Sequence, residues 1–198
     1  RWAWLVPIVV DLTVFGFSTE NWRRPVEEVN ALFDLLRLYV ARDLDRLNKN
    51  GVRIRIVGER DGLQRDIAGI IDDAEAKTRA NTKLNLTIAF NYGGQSEIAR
   101  AAQRAAVDVA AGKLAVADLT TERFAGYLDT AELPPPDLLI RTSGEARLSN
   151  FMLWQAAYAE LVFLDVLSPD FNKSSLEEAI EQYRRRDRRF GGSDSEPA

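Results

Sequence analysis

Two segments of this chain bring together hydroxyl, amide and guanidinium side chains in the mixture that an anionic, oxygen-rich ligand requires. Phe15 to Pro25, FGFSTENWRRP, presents Ser18, Glu20, Asn21, Trp22 and Arg24 directly after an apolar run and just before a helical pattern. Ligands of parallel sheets collect at the carboxyl ends of strands. Donors placed there, helped by the positive end of the following helix, suit a diphosphate. An ordinary helix cap accounts for Ser18 or Asn21 about as well.

The second segment, Ile140 to Glu160, reads IRTSGEARLSNFMLWQAAYAE. A buried apolar strand ends there in Arg141, and a Gly-containing loop then carries Glu145, Arg147 and Ser149. Two guanidinium forks and a hydroxyl on one loop match phosphate oxygens better than a point charge would. The competing reading pairs Arg141 and Arg147 with Glu145 or Asp137. Glu160 stands where AYAELVF switches from helix to strand, and spacing alone makes it a solvent-facing residue.

Composition removes several chemistries. The 198 residues contain no Cys and no His, which excludes disulfides, thiolate zinc sites, cysteine nucleophiles and imidazole bases. What remains is chemistry on carboxylates, amides, hydroxyls, Arg or a bound hard cation. With 26 Lys plus Arg against 30 Asp plus Glu, the net charge is −4, so no overall positive field draws nucleic acid. Trp4 to Val10 is too short for a bilayer span and is interrupted by Pro7. A cytoplasmic setting is the expectation.

The elements that must hold these groups follow from apolar patterning. Leu12 to Phe17, Val52 to Val57, Leu84 to Phe90, Leu138 to Thr142 and Glu160 to Phe163 read as strands, with Leu5 to Val10 ambiguous. Helical patterns lie between most of them, the rhythm of a mostly parallel α/β sheet covered by helices. The first helix runs from Pro25 to Asn50 before Gly51. Its stripe Val29, Leu32, Phe33, Leu36, Val40, Leu44 and Leu47 is widened by Leu35, Leu38 and Tyr39, so the helix is either enclosed by protein or borders an apolar cavity. Further helices are expected over Leu63 to Thr78, over Ser96 to Ala111, and from Thr121 to just before Pro134. A last one carries a Ser175 to Glu178 capping box and turns basic from Arg184 to Arg189.

FSTENWRRP, NLTIAFNYGGQSEI (Asn85 to Ile98), IRTSGEARLSNFMLWQAAYAEL and RDRRFGG (Arg186 to Gly192) together resemble, in order, the signature segments of the cis-prenyltransferases of the undecaprenyl diphosphate synthase type. The resemblance covers nearly everything from Asp11 to Gly192. It implies an open, mostly parallel sheet whose helices enclose a hydrophobic tunnel, and a single domain over 1–192 followed by a disordered tail at 193–198. It also implies the condensation of isopentenyl diphosphate with farnesyl or another allylic diphosphate, in cis, to a polyprenyl diphosphate such as undecaprenyl diphosphate, the carrier precursor of cell-wall synthesis. Mg2+ would be the cofactor.

By motif position, the resemblance implies that Arg141, Arg147, Leu148 and Ser149 hold the diphosphate of isopentenyl diphosphate and that Glu160 ligates Mg2+. Asn21 takes the catalytic position, with Arg1, Trp2, Ser18, Thr19, Glu20, Trp22 and Arg24 on the substrate. An amide is a poor base, so Asn21 is expected to orient a diphosphate oxygen that accepts the proton. The C-terminal segment implies a homodimer, although a solvated basic helix end explains the same arginines. Peripheral contact with a membrane would serve product release. The Asp-rich DDxxD of trans-prenyltransferases is not present, because Asp72-Asp73 is followed by Ala-Glu-Ala.

The resemblance weakens at the N-terminus. Of the family's Met-Asp-Gly-Asn-Gly-Arg-Trp-Ala only Arg1-Trp2-Ala3 stands here, and a Gly-His turn and most of a helix are missing before Leu12. The sequence is therefore expected to be incomplete at that end. As written it should bind substrate weakly and turn over poorly, lacking the family's metal-linked Asp and phosphate-binding His. A catalytically silent subunit supporting an active partner is the alternative, and a generic phosphate-binding α/β module is a further one.

Overall fold

A computed structural model of the chain describes residues 9–186. Those residues form two compact units, one reaching to Glu132 and one starting at Leu133.

The first unit is built on three parallel strands in the order β1-β3-β2, namely β1 (Asp11–Ser18), β2 (Val52–Val57) and β3 (Leu84–Tyr92). Parallel neighbours need a crossover between them. Two helices supply it, α1 (Val26–Lys49) and α2 (Arg65–Thr78). Ser18 stands opposite Tyr92, and Val57 opposite Ala89. All three strands therefore finish on one edge, from which α1 departs. Register slips in β1 around Gly16, where an added Cβ would lie 3.1 Å from the Ile88 side chain.

The core of this unit is aromatic. Phe17, Val29, Phe33, Ile67, Ile71 and Phe90 are buried together, with ring centroids of Phe17 5.4 Å from Phe33 and 5.3 Å from Phe90. Helix α1 stops where the sequence indicates, since Gly51 takes φ +77° after it. Its broad apolar surface is only partly covered. Leu35, Leu38 and Tyr39 are 45%, 57% and 50% exposed, and the Arg42 guanidinium sits 4.7 Å over the Tyr39 ring. Two ion pairs tie α1 to α2, Arg37 to Asp66 at 2.6 Å and Asp45 to Lys77.

Helix α3 (Gly94–Ala110) follows β3. The helix expected from Thr121 to Pro134 is much shorter, α4 (Thr121–Ala125). Buried Glu97 accounts for this, because it accepts from the Thr130 backbone at 3.1 Å and the Thr130 hydroxyl at 2.9 Å. Those bonds hold the following segment in an irregular path.

The second unit pairs β4 (Leu138–Arg141) with β5 (Glu160–Phe163) in parallel, Leu138 opposite Glu160. Val162, Leu164 and Ala179 are buried there, the last from α5 (Lys173–Arg184). The expected Ser175 capping box is not what starts α5. Asn172 is the cap, accepting from Ser174 N at 2.9 Å and Ser175 N at 3.4 Å. Asn one residue before the helix outcompetes a Ser inside it. Residues 187–198, with Arg188, Arg189 and the 193–198 tail, lie outside the described residues, as do Arg1, Trp2 and most of the ambiguous Leu5 to Val10 run.

Candidate active site

In the first unit, the chain leaves β1 through a short 3-10 turn, Thr19–Arg23. Asn21 caps this turn, its Oδ1 accepting from Ser18 N at 2.8 Å. Among the described residues the other half of the amide, Nδ2, has no hydrogen-bond acceptor. The capping and substrate readings of Asn21 are therefore compatible, since one end of the amide holds the turn and the other end remains a donor. Ser18 and Thr19 are half-buried, whereas Glu20 and Arg24 are exposed, with Arg24 3.9 Å from Glu28.

Trp22 donates its indole N–H to Asn91 Oδ1 at 2.7 Å and packs edge-on against Phe17 and Phe33, at 5.2 and 5.5 Å. Asn91 is a residue that sequence reading passed over. It is nearly fully buried, takes φ +50°, and donates through Nδ2 to Glu59 O at 2.8 Å. Its signal was an Asn at the end of a strand just before Gly93-Gly94, a residue type that tolerates the left-handed region.

Below the turn, α1 borders an apolar cavity of about 170 Å³. Leu36, Val40, Leu44 and Leu47 line it from α1, Ile54 and Ile56 from β2, Ile88 and Phe90 from β3, and Ile70, Ile71 and Ala74 from α2. Asp43 also borders it, but Arg42 and Arg46 hold its carboxylate at 2.7 and 3.0 Å. The Arg42 hydrogen bond keeps that carboxyl below the ordinary range. The stripe expected on α1 thus faces a cavity along much of its length.

In the second unit, Arg141 ends β4. Its Nε is buried and has no hydrogen-bond partner among the described residues. An unsatisfied guanidinium donor away from water costs about 1–3 kcal/mol. That donor is open to an oxygen acceptor, and among the described residues the pairing of Arg141 with Glu145 or Asp137 is not formed. Arg147 differs, because it does pair with Glu145.

The loop after β4 is conformationally unusual. Ser143, Ser149, Asn150 and Met152 all have positive φ, at 69°, 49°, 62° and 47°, as does Gly144. Such residues cost of order 1–3 kcal/mol each and gather at ligand-binding segments. The loop is pinned at its start by Ser143 N to Val166 O at 2.8 Å and Gly144 N to Leu164 O at 3.0 Å. Leu148 and Ser149 lie in its middle. Glu160 opens β5 and is not solvent-facing alone, since Arg186 binds its Oε2 at 2.9 Å.

Mg2+ is bound through one or two carboxylates together with substrate phosphates, not by an all-protein cage. No group of three acidic side chains is gathered among the described residues. Glu160 fits as one carboxylate ligand of an ion that arrives with a diphosphate. No helix among them is long and apolar enough to cross a membrane.

Hydrogen-bond donors at the carboxyl edge of a parallel sheet, with an apolar cavity beside the helix that leaves that edge, define a protein built to hold an anionic head and a hydrocarbon tail. The undecaprenyl diphosphate synthase family model (Prenyltransf) matches residues 3–191, and the chain belongs to that family. It is similar to isoprenyl transferase of Caulobacter vibrioides, 56% identical over 181 residues covering 91% of this chain and 70% of that protein. It is 47% identical over 180 residues to the (2E,6E)-farnesyl-diphosphate-specific ditrans,polycis-undecaprenyl-diphosphate synthase of Pseudomonas aeruginosa, covering 91% and 72%. The crystal structure of lavandulyl diphosphate synthase from Lavandula x intermedia, in complex with dimethylallyl diphosphate, superposes with a TM-score of 0.88 at 34% identity, covering 91% of this chain and 78% of that one. The chain is accordingly an enzyme of cis-prenyl transfer.

Proposed function

We propose that this enzyme adds isopentenyl diphosphate repeatedly to farnesyl diphosphate or a similar allylic primer, making an undecaprenyl-type product. The observation that carries the reading is the buried Nε of Arg141 at the end of β4, which has no partner among the described residues. Arg141, Arg147 and Ser149, with Leu148 between them, hold the diphosphate of isopentenyl diphosphate. Arg147 gives up Glu145 to do so.

The allylic diphosphate is held by Ser18, Thr19 and Arg24, with Glu20, Trp22 and Asn21 beside it. Its C1–O bond breaks as the terminal alkene carbon of isopentenyl diphosphate bonds to C1, and the diphosphate departs with the electron pair. Guanidinium donors stabilise that developing charge, and apolar walls keep water from the cationic carbon. Asn21 Nδ2 orients the diphosphate oxygen that takes the proton from C2. Glu160 holds Mg2+, which when bound neutralises diphosphate charge. The lengthening hydrocarbon lies along α1, in contact with Leu36, Val40, Leu44 and Leu47. Burying it stabilises the complex by about 0.8 kcal/mol per CH2.

Both compact units belong to one prenyltransferase domain in this reading, supported by the single family model that spans them. A homodimer, a cytoplasmic setting and peripheral membrane contact for product release complete it. Incubation with Mg2+, labelled isopentenyl diphosphate and farnesyl diphosphate should yield elongated lipid. A chain that binds nucleotides instead, or yields no lipid with any allylic primer, would refute it.

A further inference from the structure

We propose that Asn91 is a positioning residue for the substrate turn Ser18 to Arg24, acting through Trp22. The inference rests on the assignment of that turn to the allylic substrate. Asn91 lies at the end of the central strand, only 4% exposed, and its carboxamide is used at both ends. Oδ1 accepts from the Trp22 indole at 2.7 Å, and Nδ2 donates to Glu59 O at 2.8 Å. An indole N–H only donates and a carbonyl only accepts, so the amide has one orientation.

The backbone is fixed as firmly as the side chain. Asn91 adopts φ +50°, and its carbonyl accepts from Glu59 N at 3.0 Å. Gly58 permits this approach, since a Cβ there would lie 2.1 Å from Phe90 O and 3.0 Å from Asn91 O. Arg100 extends the frame by reaching Glu59 at 3.5 Å and Asp129. A buried, doubly bonded amide on the most enclosed strand thus aims a ring that itself stays 43% exposed at the carboxyl edge. Packing on Phe17 and Phe33 fixes the tilt of that ring, and the Asn91 bond fixes its rotation.

Two variants test this. Asn91→Gly deletes the amide while tolerating positive φ, and Trp22→Phe removes the donor. Asn91→Gly should raise KM for the allylic diphosphate about tenfold, the size of one lost charge-free buried hydrogen bond, with a much smaller change in kcat. Adding Asn91→Gly to Trp22→Phe should cost little more than Trp22→Phe alone. Additive effects of the two substitutions, or an unchanged KM in Trp22→Phe, would overturn the proposal while wild-type elongation still stands. A readout independent of turnover is Trp22 emission with Trp2, Trp4 and Trp154 changed to Phe. Asn91→Gly should shift it to longer wavelength, and an emission indifferent to Asn91 would also overturn the proposal.

Discussion

Arg186 holds Glu160 with one guanidinium nitrogen, 2.9 Å from the carboxylate and 2.8 Å from the Leu161 carbonyl. The residue assigned to Mg2+ is thus engaged by a cation of its own chain, from just beyond α5. The pair is partly exposed, so breaking it has little effect on stability. Glu160→Gln should therefore raise the Mg2+ concentration for half-maximal activity at least tenfold, while leaving the urea midpoint almost unchanged. Arg186→Ala should move the Mg2+ requirement in the opposite direction. A Glu160→Gln enzyme with wild-type Mg2+ dependence would remove Glu160 from the site.

Arg141 contributes its Nε to nothing among the described residues, and a charged hydrogen bond to a ligand is worth about 1.5–3 kcal/mol. Arg141→Lys should raise KM for isopentenyl diphosphate by roughly 10–100-fold. Thermal stability should fall little or rise, because a buried unsatisfied donor disappears. Steady-state kinetics and a melting curve on the same protein check both halves.

Asn21 has separable duties. Asn21→Asp keeps an acceptor for Ser18 N but replaces the Nδ2 donor with a negative charge, so kcat should drop by about 10²-fold or more with the turn intact. Asn21→Ala should add a cap loss of about 1 kcal/mol. Comparing the two by single-turnover rates and denaturation separates chemistry from capping.

Along α1, Val40→Trp should fill part of the cavity and shorten the products seen by chromatography. Phe33→Ala, in the aromatic core, should instead destabilise by about 3–5 kcal/mol. Shortened product from the first with normal stability identifies the cavity as the place where hydrocarbon is held.

Acid should loosen the α1–α2 pair. The Arg37 hydrogen bond lowers the Asp66 carboxyl, and the Lys77 hydrogen bond lowers that of Asp45. Their folded values lie below the unfolded ones, so the stabilisation is present above about pH 4 and is lost as pH falls through the folded values. Asp45→Asn should flatten the low-pH end of a urea-midpoint profile and leave neutral pH nearly unaltered.

The five strands were legible because each is a short apolar run with β-branched residues and a parallel sheet buries both faces. The loop after β4 was legible from Gly144 between Arg141 and Arg147, and its role toward phosphate belongs to the proposed function. The length of α4 was not, because what ends it is Glu97, far away in sequence and readable only as an acid on a helix. The Asn172 cap was hidden by two serines that offer the same chemistry two residues on. Asn91 was hidden most completely. In AFNYGG it continues a strand pattern, and nothing local announces that its side chain reaches back 69 positions to an indole.

The clasps Arg37–Asp66 and Asp45–Lys77 are both at the surface, and they bind together the two helices that line the hydrocarbon cavity. Ions in solution weaken such contacts, with a screening length of about 8 Å near physiological ionic strength and 3 Å in molar salt. With the hydrocarbon held there as proposed, the width available to a growing chain would be coupled to the electrolyte around the enzyme. Concentrated salt should let the helices part more readily and broaden the spread of product sizes, with no residue of the reacting centre altered.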